Sequence, residues 1–149
     1  MNDDPSLLAP RRPVPASHRK ELTVPASPPA TAAAAPLPVL PHHKLIAYGV
    51  ARSFLLAVLA CRISDSELRN QATRAAKSAC LNCAEGAGRV SRADKARVFA
   101  IARAEAVEAA PAVEIAALCG DAAAAPAREV AHLAHRLVGL LTGLCRPGA

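Results

Sequence analysis

The chain has 149 residues, with 18 Lys or Arg against 12 Asp or Glu for a net charge of +6, and 13 prolines. Ten of those prolines fall in the first 41 residues, so only the remainder is available to one folded domain. Aromatic residues make up 2% and much of the 52% hydrophobic content is alanine, which excludes an aromatic-rich β-sandwich and favours helices packed through Leu, Val, Ile and Ala.

Residues 1–42 show neither a helical nor a strand period, and their prolines remove backbone donors that either structure would need. They are expected to form a disordered, partly polyproline-II tail. The acidic start Met1-Asn2-Asp3-Asp4 has no apolar run behind it, unlike a secretory signal. Leu45 to Cys61 is the most apolar stretch, but it is short of a membrane span and carries Arg52 at its centre. Five scattered cysteines, Cys61, Cys80, Cys83, Cys119 and Cys145, fit reduced, buried thiols. A soluble, cytoplasmic protein with no membrane partner is expected.

The first helix is predicted over about His43 to Arg62. Leu45, Tyr48, Leu55 and Leu59 form one stripe and Val50, Phe54, Val58 and Cys61 a second, so two faces should be buried. Ser66 is the candidate N-cap of a second helix over Glu67 to Ala84, whose Leu68, Ala72, Ala75, Ala79 and Cys83 share an apolar stripe. Gly86 and Gly88 then read as a hinge, one of them in a backbone conformation costly for other residues, with Ser91 and Asp94 capping the third helix. That helix should run to Cys119, kinked but unbroken by Pro111, with its apolar pattern resuming at Val113, Ile115 and Leu118 and Gly120 as its left-handed stop. The fourth begins near Pro126 and uses Val130, Leu133, Leu137, Leu140, Leu141 and Leu144 to about Cys145. The predicted fold is all-α: an antiparallel up-down-up-down four-helix bundle over 43–147 behind the Pro/Ala-rich tail. A core of small side chains is thin, and partner subunits would supplement it.

Charge is concentrated around the hinge. Arg69, Arg74, Lys77, Arg89, Arg92, Lys95, Arg97 and Arg103 stand against only Glu85 and Asp94 between residues 69 and 103. Arg92, Lys95 and Arg103 share one face of the third helix with Phe99 among them, which would suit phosphates and one stacked base; a solvated face with Phe99 in the core or at a subunit contact reads equally well. Glu85 lies near a helix C-terminus, where the dipole disfavours it, so a cation from Arg89, Arg92 or Arg97 should compensate. Asn82 reads as a hydrogen-bonding residue that ties the hinge to a neighbouring helix. Cys80 and Cys83 have metal or redox spacing without a second pair, and His132 and His135 lie three apart on the fourth helix without an evident third ligand. Neither pair is expected to bind metal. No catalytic arrangement and no cofactor motif is present in the sequence.

The run from Arg74 to Arg89, including Asn82-Cys83-Ala84-Glu85-Gly86-Ala87-Gly88-Arg89, followed by Ser91, Asp94, Arg97, Ile101-Ala102-Arg103 and Glu108, resembles the bacterial four helix bundle protein family, first found in intervening sequences of large-subunit ribosomal RNA genes. The resemblance covers about residues 43–146. Cys80 and Cys83 replace the usual proline and isoleucine, Lys95 stands where an aromatic is common, and Ala104-Glu105 replaces a Gly-Ser pair. The resemblance implies a homopentameric bundle, and kinship with the accessory variability determinant of diversity-generating retroelements, a basic barrel that binds nucleic acid and a reverse transcriptase. It also places Arg74, Asn82, Glu85, Gly86, Arg89, Arg97 and Glu108 at signature positions, of which Asn82, Glu85, Gly86, Arg97 and Glu108, with Gly88, are expected to form the structural hinge.

Two functions follow as expectations. One is a non-enzymatic oligomer that binds RNA or DNA without reading sequence, through Arg69, Arg74, Lys77, Arg89, Arg92, Lys95 and Arg103. The other is a structural or interaction module that docks an acidic protein partner, such as a reverse-transcriptase-type or ribosome-associated protein.

Overall fold

A computed structural model describes residues 39–146, and the expected tail therefore lies outside the described residues except for its last four positions. Within them, Pro41–Lys44 form a 3-10 turn, and four helices follow: α1 Ile46–Ala60, α2 Ser66–Gly88, α3 Arg92–Cys119 and α4 Ala124–Cys145. No strand occurs among the described residues. The bundle thus begins at Pro41, slightly ahead of the expected boundary, with the His42 ring edge-on to Tyr48 at 4.7 Å.

Each helix boundary has a local cause. Two residues past the end of α1, Arg62, a non-glycine residue at φ 48°, turns the chain so that Ile63 is buried. Asp65, not Ser66, caps α2, accepting from the Leu68 N–H at 2.8 Å. Ser91 caps α3 as expected, its hydroxyl accepting from the Asp94 N–H at 3.1 Å. Gly120 stops α3 at φ 84°, while the Asp121 N–H reaches back to the Ala116 carbonyl at 2.7 Å in a Schellman turn. Pro111 lies inside α3 without ending it. The Val107 carbonyl loses its partner there, but Val107 and Pro111 both face solvent, where water can take that place.

The helices pack in sequence order, α1 on α2, α2 on α3 and α3 on α4, and α4 returns to α1. Contacts run in opposite senses along neighbours. Gly86 near the end of α2 meets Phe99 near the start of α3, while Arg74 pairs with Glu108 further along. Likewise the Cys145 thiol points to the Ala96 carbonyl and Arg103 to Thr142. At one end the Ser64 N–H donates to the Asp121 carbonyl at 2.9 Å, joining the α1–α2 loop to the α3–α4 loop. The hinge between α2 and α3, the start of α1 and the end of α4 therefore share the opposite end.

Phe54, Leu137, Leu141, Val98, Val113, Val130 and Cys83 are the largest fully buried side chains, and alanine fills most of the remaining core. Seven residues of α2 are buried, Ala72, Ala75, Ala76, Ala79, Cys80, Cys83 and Gly86, and none is larger than cysteine. Small side chains on this face let α3 approach closely. Several expected core positions lie outside, Leu59, Ile115, Leu118 and Leu144 being exposed, whereas the expected stripes Val50, Phe54, Val58 and Cys61 of α1 and Ala72, Ala75, Ala79 and Cys83 of α2 are buried as predicted.

Candidate nucleic-acid interface

The hinge is a run of two extended residues and a cap. Arg89 and Ser91 have ψ of 148° and 146°, and Val90 between them is 97% exposed. Neither glycine carries strain. Gly86 and Gly88 both lie within α2, and the left-handed glycine among the described residues is Gly120. The expectation of a strained hinge glycine is corrected on this point. Gly86 is required for a different reason: a Cβ there would stand 2.6 Å from Cε1 of Phe99. Phe99 is buried against this spot and is no stacking platform.

Four hinge side chains form one ion network. Arg89 pairs with Glu85 one turn back and reaches Asp94 Oδ2 at 3.3 Å, while Arg97 holds Asp94 Oδ1 at 2.8 Å. Arg89 supplies the cation that Glu85 needs at a helix C-terminus. The hydrogen bond to Glu85, then the charge of Asp94, raise the Arg89 pKa above its ordinary value. Two acids and two bases cancel in this network, so Arg89 and Arg97 add little net field. Asn82 does not reach a neighbouring helix; its amide donates to the Ser78 carbonyl of its own helix at 2.9 Å, because it lies half-buried on the flank of α2.

The other predicted cations are dispersed. Arg69 donates to the Ile63 and Ser64 carbonyls at 2.9 and 3.1 Å, closing the α1–α2 loop at the end far from the hinge. Arg74 stands 3.8 Å from Glu108 across α2 and α3, with the Arg74 side chain 81% exposed. Lys77 lies on the same open flank, exposed like its neighbour. Arg103 donates from Nε to the Thr142 hydroxyl at 2.9 Å, which turns it onto the α3–α4 seam. Arg92 is exposed and Lys95 half-buried in the first turn of α3. Glu108 is about 24 Å along α3 from Arg92, outside the hinge.

What the fold assembles, and linear sequence hides, is a charged end. Lys44 before α1, Arg89, Arg92, Lys95 and Arg97 at the hinge and Arg146 after α4 all lie at the same end, against Glu85 and Asp94. The other end holds Arg62, Arg69 and Arg128 against Asp65, Glu67, Glu114, Asp121 and Glu129. The bundle is therefore polarised along its axis. Lys44 and Arg146 were not among the predicted contacts, and nothing local in their sequence marks them.

The cysteines divide into two groups. Cys61, Cys80 and Cys83 are buried, Cys145 is half-buried, and Cys119 is exposed, which corrects the expectation of five buried thiols. Burial pushes the thiols of Cys61, Cys80 and Cys145 up, and that of Cys83, with Cys80 beside it, up to about 12. Such thiols stay protonated and make poor nucleophiles. His132 and His135 are exposed on α4. Among the described residues no three His, Cys, Asp or Glu side chains converge as a metal site requires, and no helix is long and apolar enough to cross a membrane.

Fold and surface define the class: a short-looped all-α bundle with an alanine-rich interior and its charged chemistry on the outside. The chain belongs to the 23S rRNA-intervening sequence protein family, whose model matches residues 43–143. No curated protein matches it.

Proposed function

We propose that this protein is a non-enzymatic, self-assembling bundle that binds nucleic acid by phosphate contact, without reading bases. The observation that carries the reading is the basic end, where Lys44, Arg92, Lys95 and Arg146 stand beyond the neutralised Arg89–Arg97 network. Arg74, Lys77 and Arg103 extend positive charge down the flanks, whereas Arg69 and Arg89 serve chiefly to hold the fold. Phosphate contacts position a protein on a polyanion but carry no sequence information, which suits a surface without an exposed aromatic in α3. The family description refers to 23S ribosomal RNA, so RNA is the first polyanion to test.

The test is fluorescence anisotropy with a single-stranded RNA across a salt series. For three to five phosphate contacts the log–log slope should be about −2 to −3.5. Lys44→Glu, Lys95→Glu and Arg146→Glu combined should lower affinity at least about tenfold at low salt, an effect on the scale of 1.4 kcal/mol, with the far-UV spectrum unchanged. No binding by the parent at low salt would sink the reading. An acidic protein partner would then be the better one, favoured by Leu81, 71% exposed and one turn beyond Lys77 on the α2 flank.

A further inference from the structure

A groove on the α1–α4 seam joins two cations to an apolar floor. It runs beside the first two turns of α1 and the middle of α4, with a volume of about 420 Å³, within the range of small-ligand sites. Lys44 and Arg136, both exposed, line it together with the buried Val50 and the half-buried Leu133. No carboxylate lines it, and no acid occurs between residues 43 and 64. Two other grooves differ on this point: the one on α2 includes Glu67, and the one between α3 and α4 includes Glu114. Charge marks the α1–α4 groove for an anion, and its floor offers apolar surface for a flat ring to cover.

A cluster of rings stands at the same place. His43 lines the groove, with the His42 ring 4.2 Å from it and Tyr48 at 6.4 Å, while His42 meets Tyr48 edge-on at 4.7 Å. The Leu40 N–H donates to His43 Nδ1 at 3.0 Å, which braces this exposed imidazole against the 3-10 turn. Such rings stack on any unpaired base, because every base has a π-face, whereas duplex bases are already stacked on their neighbours. We propose that the groove takes one unpaired nucleotide of a single-stranded RNA, its base over Val50 and Leu133 against the His43 ring and its phosphate between Lys44 and Arg136. Lys44 belongs to the basic end, and Arg136 lies about 15 Å back along the α4 axis from Arg146, so a strand held at that end has the groove within reach. The inference rests on the phosphate-binding reading and adds strand state to it: the groove favours unpaired RNA over duplex, still without base identity.

Filling the groove without changing its charge tests this. Gly49 lies on its wall within α1, exposed, and a Cβ added there has nothing within 4 Å. Gly49→Leu therefore occupies the groove, leaves the core alone and replaces a poor helix former with a good one. Ser53→Leu, one turn further along α1, fills it from a second exposed position. Fluorescence anisotropy on the full chain at low salt compares a single-stranded RNA, the same sequence as a blunt duplex, and inorganic polyphosphate, with helicity checked by circular dichroism. Each filling variant should weaken single-strand binding at least about fivefold, the low end for one stacked base, and leave duplex and polyphosphate binding unchanged. Equal losses on all three polyanions would show that the groove takes phosphate alone, and no loss on any would show that the strand does not enter it. Either result overturns the nucleotide site while the phosphate-binding reading stands. A parent that binds none of the three ends both.

Discussion

Cys83 faces the core from α2 with no exposed surface, and burial beside Cys80 pushes its thiol up to about 12. In the unfolded chain the same thiol titrates near 8.5. Between those values the native state keeps a proton that the unfolded chain has released, so stability is fully present below the lower value and drains away as pH climbs towards the upper one. The slope approaches about 1.4 kcal/mol per pH unit for one such group. Melting temperature is therefore expected to stay level from pH 6 to 8 and to fall above about pH 9. A Cys83→Ala variant, less stable at neutral pH through its lost contacts, should show a shallower alkaline fall. Equal slopes in parent and variant would mean that the thiol does not titrate through this window.

At the scale of elements, the packing of α2 on α3 depends on side chains small enough to be nearly absent. Gly86 faces Phe99 with no room for a Cβ, whereas Gly88, two residues on, has nothing within 4 Å. Gly86→Ala must displace a buried ring and should cost about 1–3 kcal/mol. Gly88→Ala meets open space inside a helix and should be neutral or stabilise by up to about 1 kcal/mol. Urea melts of the two variants decide between close packing and backbone strain as the reason for the glycines, since strain would penalise Gly88 also. The alternating small residues were visible in the sequence, but their cause was not. A glycine near a helix end looks the same whether it turns the chain or admits a neighbour, and only the position of Phe99 separates the two.

For the molecule as a whole, the four helices close on one another from Pro41 to Cys145 through a continuous buried cluster. The first 38 residues contribute no periodic apolar face in their sequence. Deleting them should leave ellipticity at 222 nm per folded residue and melting temperature essentially unchanged, as read by circular dichroism. A drop of more than a few degrees would show that they stabilise the bundle.

The all-α class, the helix count, the Ser91 cap, the Gly120 stop and the continuity of α3 past Pro111 were all legible in the sequence by itself. Each depends on residues within a few positions of one another, where side-chain hydrogen bonds and allowed backbone angles act. The inward stripes of α1 and α2 were legible too, but that of α3 was not, because Val98, Ala102, Ala109 and Val113 compete with Ile101, Val107, Ile115 and Leu118 for the core at nearly equal apolarity. The charged end was equally hidden. Lys44, Lys95 and Arg146 are separated by about 50 residues at each step and meet only because antiparallel helices of matched length return the chain to the same place. Local chemistry determined the elements and the pairing of Arg89 with Glu85 one turn back, while the burial of the smaller side chains and the gathering of distant cations were decided by tertiary packing, which alone sets what distant residues are close in space.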